Sequence, residues 1–117
     1  MSATDLASRT CAPCSGKVPP LPAEKVRDLL AQVPAWSLSA DGQRIGRAWK
    51  VLDFAAALDF FHRIGTVAEA EDHHPDLHLT SYRDVRVELW THAANGLTEN
   101  DFIMAAKIDA LGVALKG

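Results

Sequence analysis

Apolar residues recur at helical spacing through the middle of the chain. Phe54, Ala57, Leu58, Phe61, Ile64, Gly65 and Ala68 share one face, at about 100° per residue. Asp53 stands directly before them as a suitable N-cap. This is the clearest element of the sequence. An earlier helix is expected from Pro22 at its first position, with Val26, Leu29, Leu30 and Val33 as its apolar stripe and Pro34 closing it. Trp36 and Leu38 lead into Asp41-Gly42, a hairpin-turn dipeptide, and residues 45–51 return as a strand. Leu77 to Tyr82 reads as a third strand, and Arg83-Asp84 as a turn. Val85, Val87 and Leu89 alternate with Arg86, Glu88 and Trp90 in the pattern of a half-buried strand. Residues 93–97 read as a loop containing Asn95-Gly96. Thr98 and Asp101 then open a helix as a capping-box pair, expected to run to about Leu115.

The order α-β-β-α-β-β-α predicts an α+β fold with a four-stranded antiparallel sheet and three helices on one face. The other face is left for solvent or self-association. Residues 1–20, rich in Ser, Thr, Pro and Gly, read as an irregular N-terminal extension. Residues 21–117 form the domain. Removing residues 1–18 is therefore expected to leave that domain working.

Composition narrows the function. The chain has 117 residues, the size of one domain with one core. Apolar residues make up 48% and charged residues 23%, a globular balance. The net charge is −3 and the basic residues are scattered, so no stripe for nucleic acid emerges. No apolar run approaches the roughly 18 residues of a membrane span. No signal-peptide core stands at the N-terminus. A cytoplasmic location is expected. Cys11-Ala12-Pro13-Cys14 is compatible with half a zinc site, a redox pair, or thiols without chemistry. No second C-x-x-C supplies the remaining zinc ligands.

The candidate chemistry sits at His73-His74-Pro75. A helix stops at or before the residue preceding a proline, so both imidazoles are expected at an exposed corner. Histidine titrates nearest neutrality and can give and take protons. The pair could also complement the helix dipole or belong to a metal site. Glu69, Glu71 and Asp72 place three acids where the dipole disfavours them. Either they hold the histidines or they are solvated. Glu69 lies one turn before His73, at a spacing that lets the two touch. His92 lies just past a strand end, and Asp101 can cap its helix and orient an imidazole at once.

The run Glu69, three residues, His73-His74-Pro75, six residues, Tyr82, nine residues, His92, eight residues, Asp101 resembles the pterin-4a-carbinolamine dehydratase family. The similarity extends from about Leu21 to Leu115 and includes Trp36 and the stretch from Thr91 to Leu97. The segment between His74 and Tyr82 is one residue longer than in animal members. The resemblance implies the same α+β fold, assembled as a homodimer or homotetramer. It implies dehydration of 4a-hydroxytetrahydrobiopterin, or a related pterin, to the quinonoid dihydropterin. That would recycle the cofactor of an aromatic amino acid hydroxylase. No metal or organic cofactor is implied.

His73, His74 and His92 correspond to the family's catalytic histidines. Glu69 and Asp101 match its acidic, orienting positions. His73, His74, Pro75, Thr91, His92, Ala93 and Ala94 match the stretches that hold the pterin. Tyr82 and Trp36 read as rim or core aromatics, and His62 and His78 as surface or structural residues. One alternative is a protein-interaction module, a dimerisation cofactor or regulator, using a helix or sheet surface. Another is a metal site built from His73, His74, His78 and His92. It is disfavoured because adjacent side chains diverge.

Overall fold

The computed structural model describes residues 3–12 and 18–116. Its elements are α1 (Ala3–Ser8), α2 (Ala23–Leu30), β1 (Ser37–Leu38), β2 (Ile45–Lys50), α3 (Phe54–Glu71), β3 (Asp76–Thr80), β4 (Asp84–Leu89), a 3-10 turn (His92–Ala94) and α4 (Glu99–Leu111). The four strands form one antiparallel sheet in the order β1-β2-β4-β3. Two hairpins therefore join along β2 and β4. Val85, Val87 and Leu89 are buried, while Arg86 points outward, as the alternation predicted. Helices cover the Val85 face. The outward rows carry ion pairs between neighbouring strands, Lys50 with Asp84 and His78 with Glu88.

α3 starts where the sequence placed it. The Asp53 carboxylate accepts from the Ala56 N–H at 2.8 Å, a cap that contributes about 1 kcal/mol. It stops at Glu71, and Asp72 closes it in the left-handed region at φ 52°. Ala57, Phe60, Ile64 and Ala68 form its buried stripe. Trp36, Trp49 and Phe60 pack edge to face beneath it. The Trp36 indole N–H finds its partner in Asp109 at 2.9 Å.

Several expectations need correction. Pro22 is the residue before α2, not its first helical residue. The β3–β4 turn spans residues 81–83, not Arg83-Asp84. Ser81 and Tyr82 take positive φ there, and Asp84 already pairs with Thr80. α4 ends at Leu111 because Gly112 adopts φ 67° and ψ 155°, a conformation suited to glycine. The chain beyond it runs back along β2, with Leu115 bridging Val51.

The largest correction concerns residues 1–20. Residues 3–8 are helical, not irregular, and Leu6 has 0% exposure. Among the described residues there is thus a fourth helix, α1, which packs on α4. Cys11 is buried, and Cys14 lies outside the described residues. Among the described residues, no helix is long and apolar enough to cross a membrane.

Candidate active site

Three chain segments converge at one end of the sheet: the end of α3, the turn after β4, and the first turn of α4. α3 delivers His73 and His74. The two rings part company at once. His73 Nε2 lies 2.7 Å from Asp101 Oδ1. His74 Nε2 lies 2.5 Å from Glu69 Oε2. The expected Glu69–His73 pair is thus replaced by Glu69–His74. The left-handed Asp72 breaks the helical path, so His73 no longer lies one regular turn beyond Glu69. His73 turns its ring into the protein, and the residue is 9% exposed, not at an exposed corner. His74 keeps that exposed position.

Asp101 is fully buried, and both its oxygens are occupied. Oδ2 accepts from the Thr98 N–H and from the Thr91 hydroxyl, each at 2.9 Å. Thr91 and Thr98 share a further hydroxyl bond at 2.8 Å. A hydroxyl has one proton to give. With Thr91 donating to Asp101, Thr98 donates to Thr91. The chain of donors leaves Oδ1 to His73. A carboxylate only accepts, so it selects the tautomer with the proton on Nε2 and leaves Nδ1 for exchange. Asp101 caps its helix and orients an imidazole with the same carboxylate.

His92 opens the 3-10 turn, and its ring lies against Trp90, with centroids 3.9 Å apart. Arg44 lies over the other ring system, 4.7 Å from the Trp90 centroid. It is also 3.7 Å from Asp76. The left-handed Asn95 and the Thr91–Gly96 bridge close this turn.

These groups border a cleft of about 330 Å³. Of the expected binding residues, His73, His74, Pro75, Thr91, His92 and Ala93 line it. Ala94 does not. It is buried and faces a neighbouring hollow beside Val18, Pro19 and Pro20. Glu69 and Asp101 stand behind their histidines. Asp72, one of the three acids expected near the histidines, also lines the cleft, together with Asp76 and Trp90, which the sequence pattern does not single out. The alternation places Trp90 in a strand, and its position two residues before His92 is the signal that points to the site. Tyr82 lies at the far β3–β4 turn, and Trp36 is in the core. His62 is exposed on α3, and His78 pairs with Glu88 at 2.9 Å. The four histidines of the metal alternative thus face different partners.

The pattern has a counterpart among known proteins. A family model described as pterin 4 alpha carbinolamine dehydratase matches residues 19–111. The chain belongs to this family. Pterin-4-alpha-carbinolamine dehydratase 2 of Arabidopsis thaliana, a mitochondrial protein, is 46% identical over 115 residues. That match covers 96% of this chain and 62% of the plant protein, so the chain spans under two thirds of that relative. A putative dehydratase of the same description from Halorhodospira halophila is 50% identical over 112 residues, covering 96% of this chain and 99% of the relative. Among solved structures, a protein of Brucella melitensis described as a transcriptional coactivator/pterin dehydratase superposes with a TM-score of 0.73 at 34% identity. The superposition covers 79% of this chain and 97% of that one.

Proposed function

We propose that the chain converts a 4a-hydroxytetrahydropterin, such as 4a-hydroxytetrahydrobiopterin, to the quinonoid dihydropterin and water. It is a dehydratase, a hydro-lyase of the pterin-4a-carbinolamine type. The observation that carries the reading is the cleft bordered by three histidines, one of them fixed by a buried carboxylate.

The chemistry asks for two proton movements. A proton must reach the C4a hydroxyl as the C–O bond breaks. A proton must leave the ring nitrogen as the C=N bond forms. The proton gained by the departing water and the proton lost from nitrogen balance. Groups titrating near neutrality perform both. His73, His74 and His92 are the catalytic groups in this reading. Asp101 and Glu69 orient His73 and His74. Pro75, Thr91 and Ala93 shape the cleft around the ring, and Trp90 holds His92. The route serves a pterin spent by an aromatic amino acid hydroxylase in the cytoplasm. The chain works as a homodimer or homotetramer. Exposed Leu52, Phe54, Leu58 and Leu115 supply apolar surface for that assembly. The regulatory alternative rests on the description of the Brucella protein alone.

The test is spectrophotometric. The purified chain is mixed with enzymatically generated 4a-carbinolamine, with and without EDTA. Equal acceleration in both is expected. No acceleration over the spontaneous reaction would defeat the proposal.

A further inference from the structure

The bond between His73 and Asp101 joins two separate elements, the end of α3 and the start of α4. The residues are 28 positions apart. A hydrogen bond of 2.7 Å holds its geometry only if both elements are fixed to a fraction of an ångström. The segment before residue 13 contacts both. The Cys11 N–H donates to Glu71 Oε1 at 2.7 Å. The next backbone unit is bound twice: the Ala12 N–H donates to Asn100 Oδ1 at 2.9 Å, and Asn100 Nδ2 donates to the Ala12 carbonyl at 2.7 Å. Glu71 stands two residues before His73, and Asn100 one residue before Asp101. Two consecutive backbone units thus bridge the two carriers of the pair.

The rest of the segment anchors this bridge. Leu6 inserts into the core. Lys107, one face along α4, donates to the Ala7 carbonyl at 2.8 Å and lies 3.9 Å from Glu71 Oε2. The Cys11 thiol donates to the Asn100 carbonyl at 3.7 Å. α4 explains why a cover is required. It is buried without interruption from Asn100 to Ala106. A helix buried all round needs packing on every side. α3 and β4 contact it, and α1 supplies further cover.

We infer that residues 3–12 are a positioning element of the active site. Asn100 and Glu71 are its positioning residues, and they set the separation of His73 and Asp101. The inference rests on the dehydratase reading for its kinetic consequence. Neither residue lines the cleft, so the effect falls on turnover and not on pterin binding.

The experiment uses the full chain. Asn100→Ala removes both bonds to Ala12. Glu71→Ala removes the acceptor for Cys11, and Glu71→Gln keeps an acceptor oxygen there. Each alanine variant is expected to lower kcat by roughly tenfold or more, with KM within about twofold. Glu71→Gln should stay within about threefold of the unmodified chain, because the bond survives. The imidazole ¹H–¹⁵N signals of His73 should move in both alanine variants and remain in place in Glu71→Gln. Folded alanine variants with unchanged kcat and unchanged His73 signals would overturn the inference. So would a lowered Tm with kcat intact below it, since that marks a purely stabilising segment. If Asn100→Ala does not fold, Glu71→Ala and Glu71→Gln give the same comparison from the α3 side. Failure of the unmodified chain to dehydrate the carbinolamine would instead defeat the functional reading, and the His73 signals would still report on the bridge.

Discussion

Asp101 faces His73 with one oxygen and holds Thr91 and Thr98 with the other. Replacing it with Asn keeps the shape and exchanges an acceptor for an amide donor. Either His73 or the Thr98 N–H then meets the wrong partner. Asp101→Asn is expected to lower turnover by roughly 10²-fold or more. It should also cost about 1–3 kcal/mol of stability, the scale of an unsatisfied buried group. Steady-state kinetics and thermal unfolding check the two parts. Glu69 presents the opposite case. Its pairing with His74 is exposed on both sides, and exposed pairs contribute at most about 1 kcal/mol. Glu69→Gln should leave Tm nearly unchanged and shift the NMR signals of His74 while those of His73 stay. A shift confined to His73 would mean that the original helical spacing, not the Asp72 break, governs the contact.

The N-terminal segment and α4 form the element whose chemistry is most open to titration. Burial, with Glu71 close by, pushes the Cys11 thiol from 9.0 to about 12. Lys107 opposes that shift and Asp101 adds to it. The group is neutral in its low-pH form, and its folded value is raised. Its contribution is therefore fully present below pH 9.0 and lost as pH rises towards about 12. Alkylation of Cys11 at pH 8 should be far slower than that of a free thiol. Alkaline release of residues 3–12 should begin above pH 9, read by amide exchange. Rapid alkylation at pH 8 in the folded protein would contradict this docking.

Elements with a strong local signal were legible in the sequence. Asp53 and the Thr98–Asp101 capping box lie where the sequence placed them, and Ala57, Ile64 and Ala68 of the expected α3 stripe are buried, but the buried face turns to include Phe60 while Phe54 and Leu58 stay half exposed. The hidden features depend on tertiary contact. Nothing local announces that Leu6 belongs to the core, because one leucine in a Ser- and Thr-rich stretch has no period. α4 did carry a signal in retrospect. Its apolar residues surround the helix instead of forming a stripe, which calls for cover from another segment. The β3–β4 turn was misplaced because Ser81 and Tyr82 accept left-handed geometry without the Gly or Asn that would advertise it.

At the scale of the whole molecule, the sheet works as a frame that brings three chain segments to one end. The histidine pair, His92 and Asp101 could be singled out by residue type and spacing, but their pairing could not. It depends on the sharp left-handed step at Asp72, which redirects His73 inward by one residue. The cleft residues Asp76 and Trp90 lie at the ends of β3 and β4, and their relation follows from strand register, which no single-residue pattern displays. The proposed reaction assigns the proton transfers of carbinolamine dehydration to His73, His74 and His92, and the adjacent pair is its most accessible part to test. The most direct measurement is the turnover of 4a-hydroxytetrahydropterin by the unmodified chain, by His73→Ala, by His74→Ala and by the double variant, with circular dichroism on each. Each single change is expected to lower kcat by roughly 10- to 10⁴-fold with the fold retained. A folded double variant turning over at the unmodified rate would contradict the account.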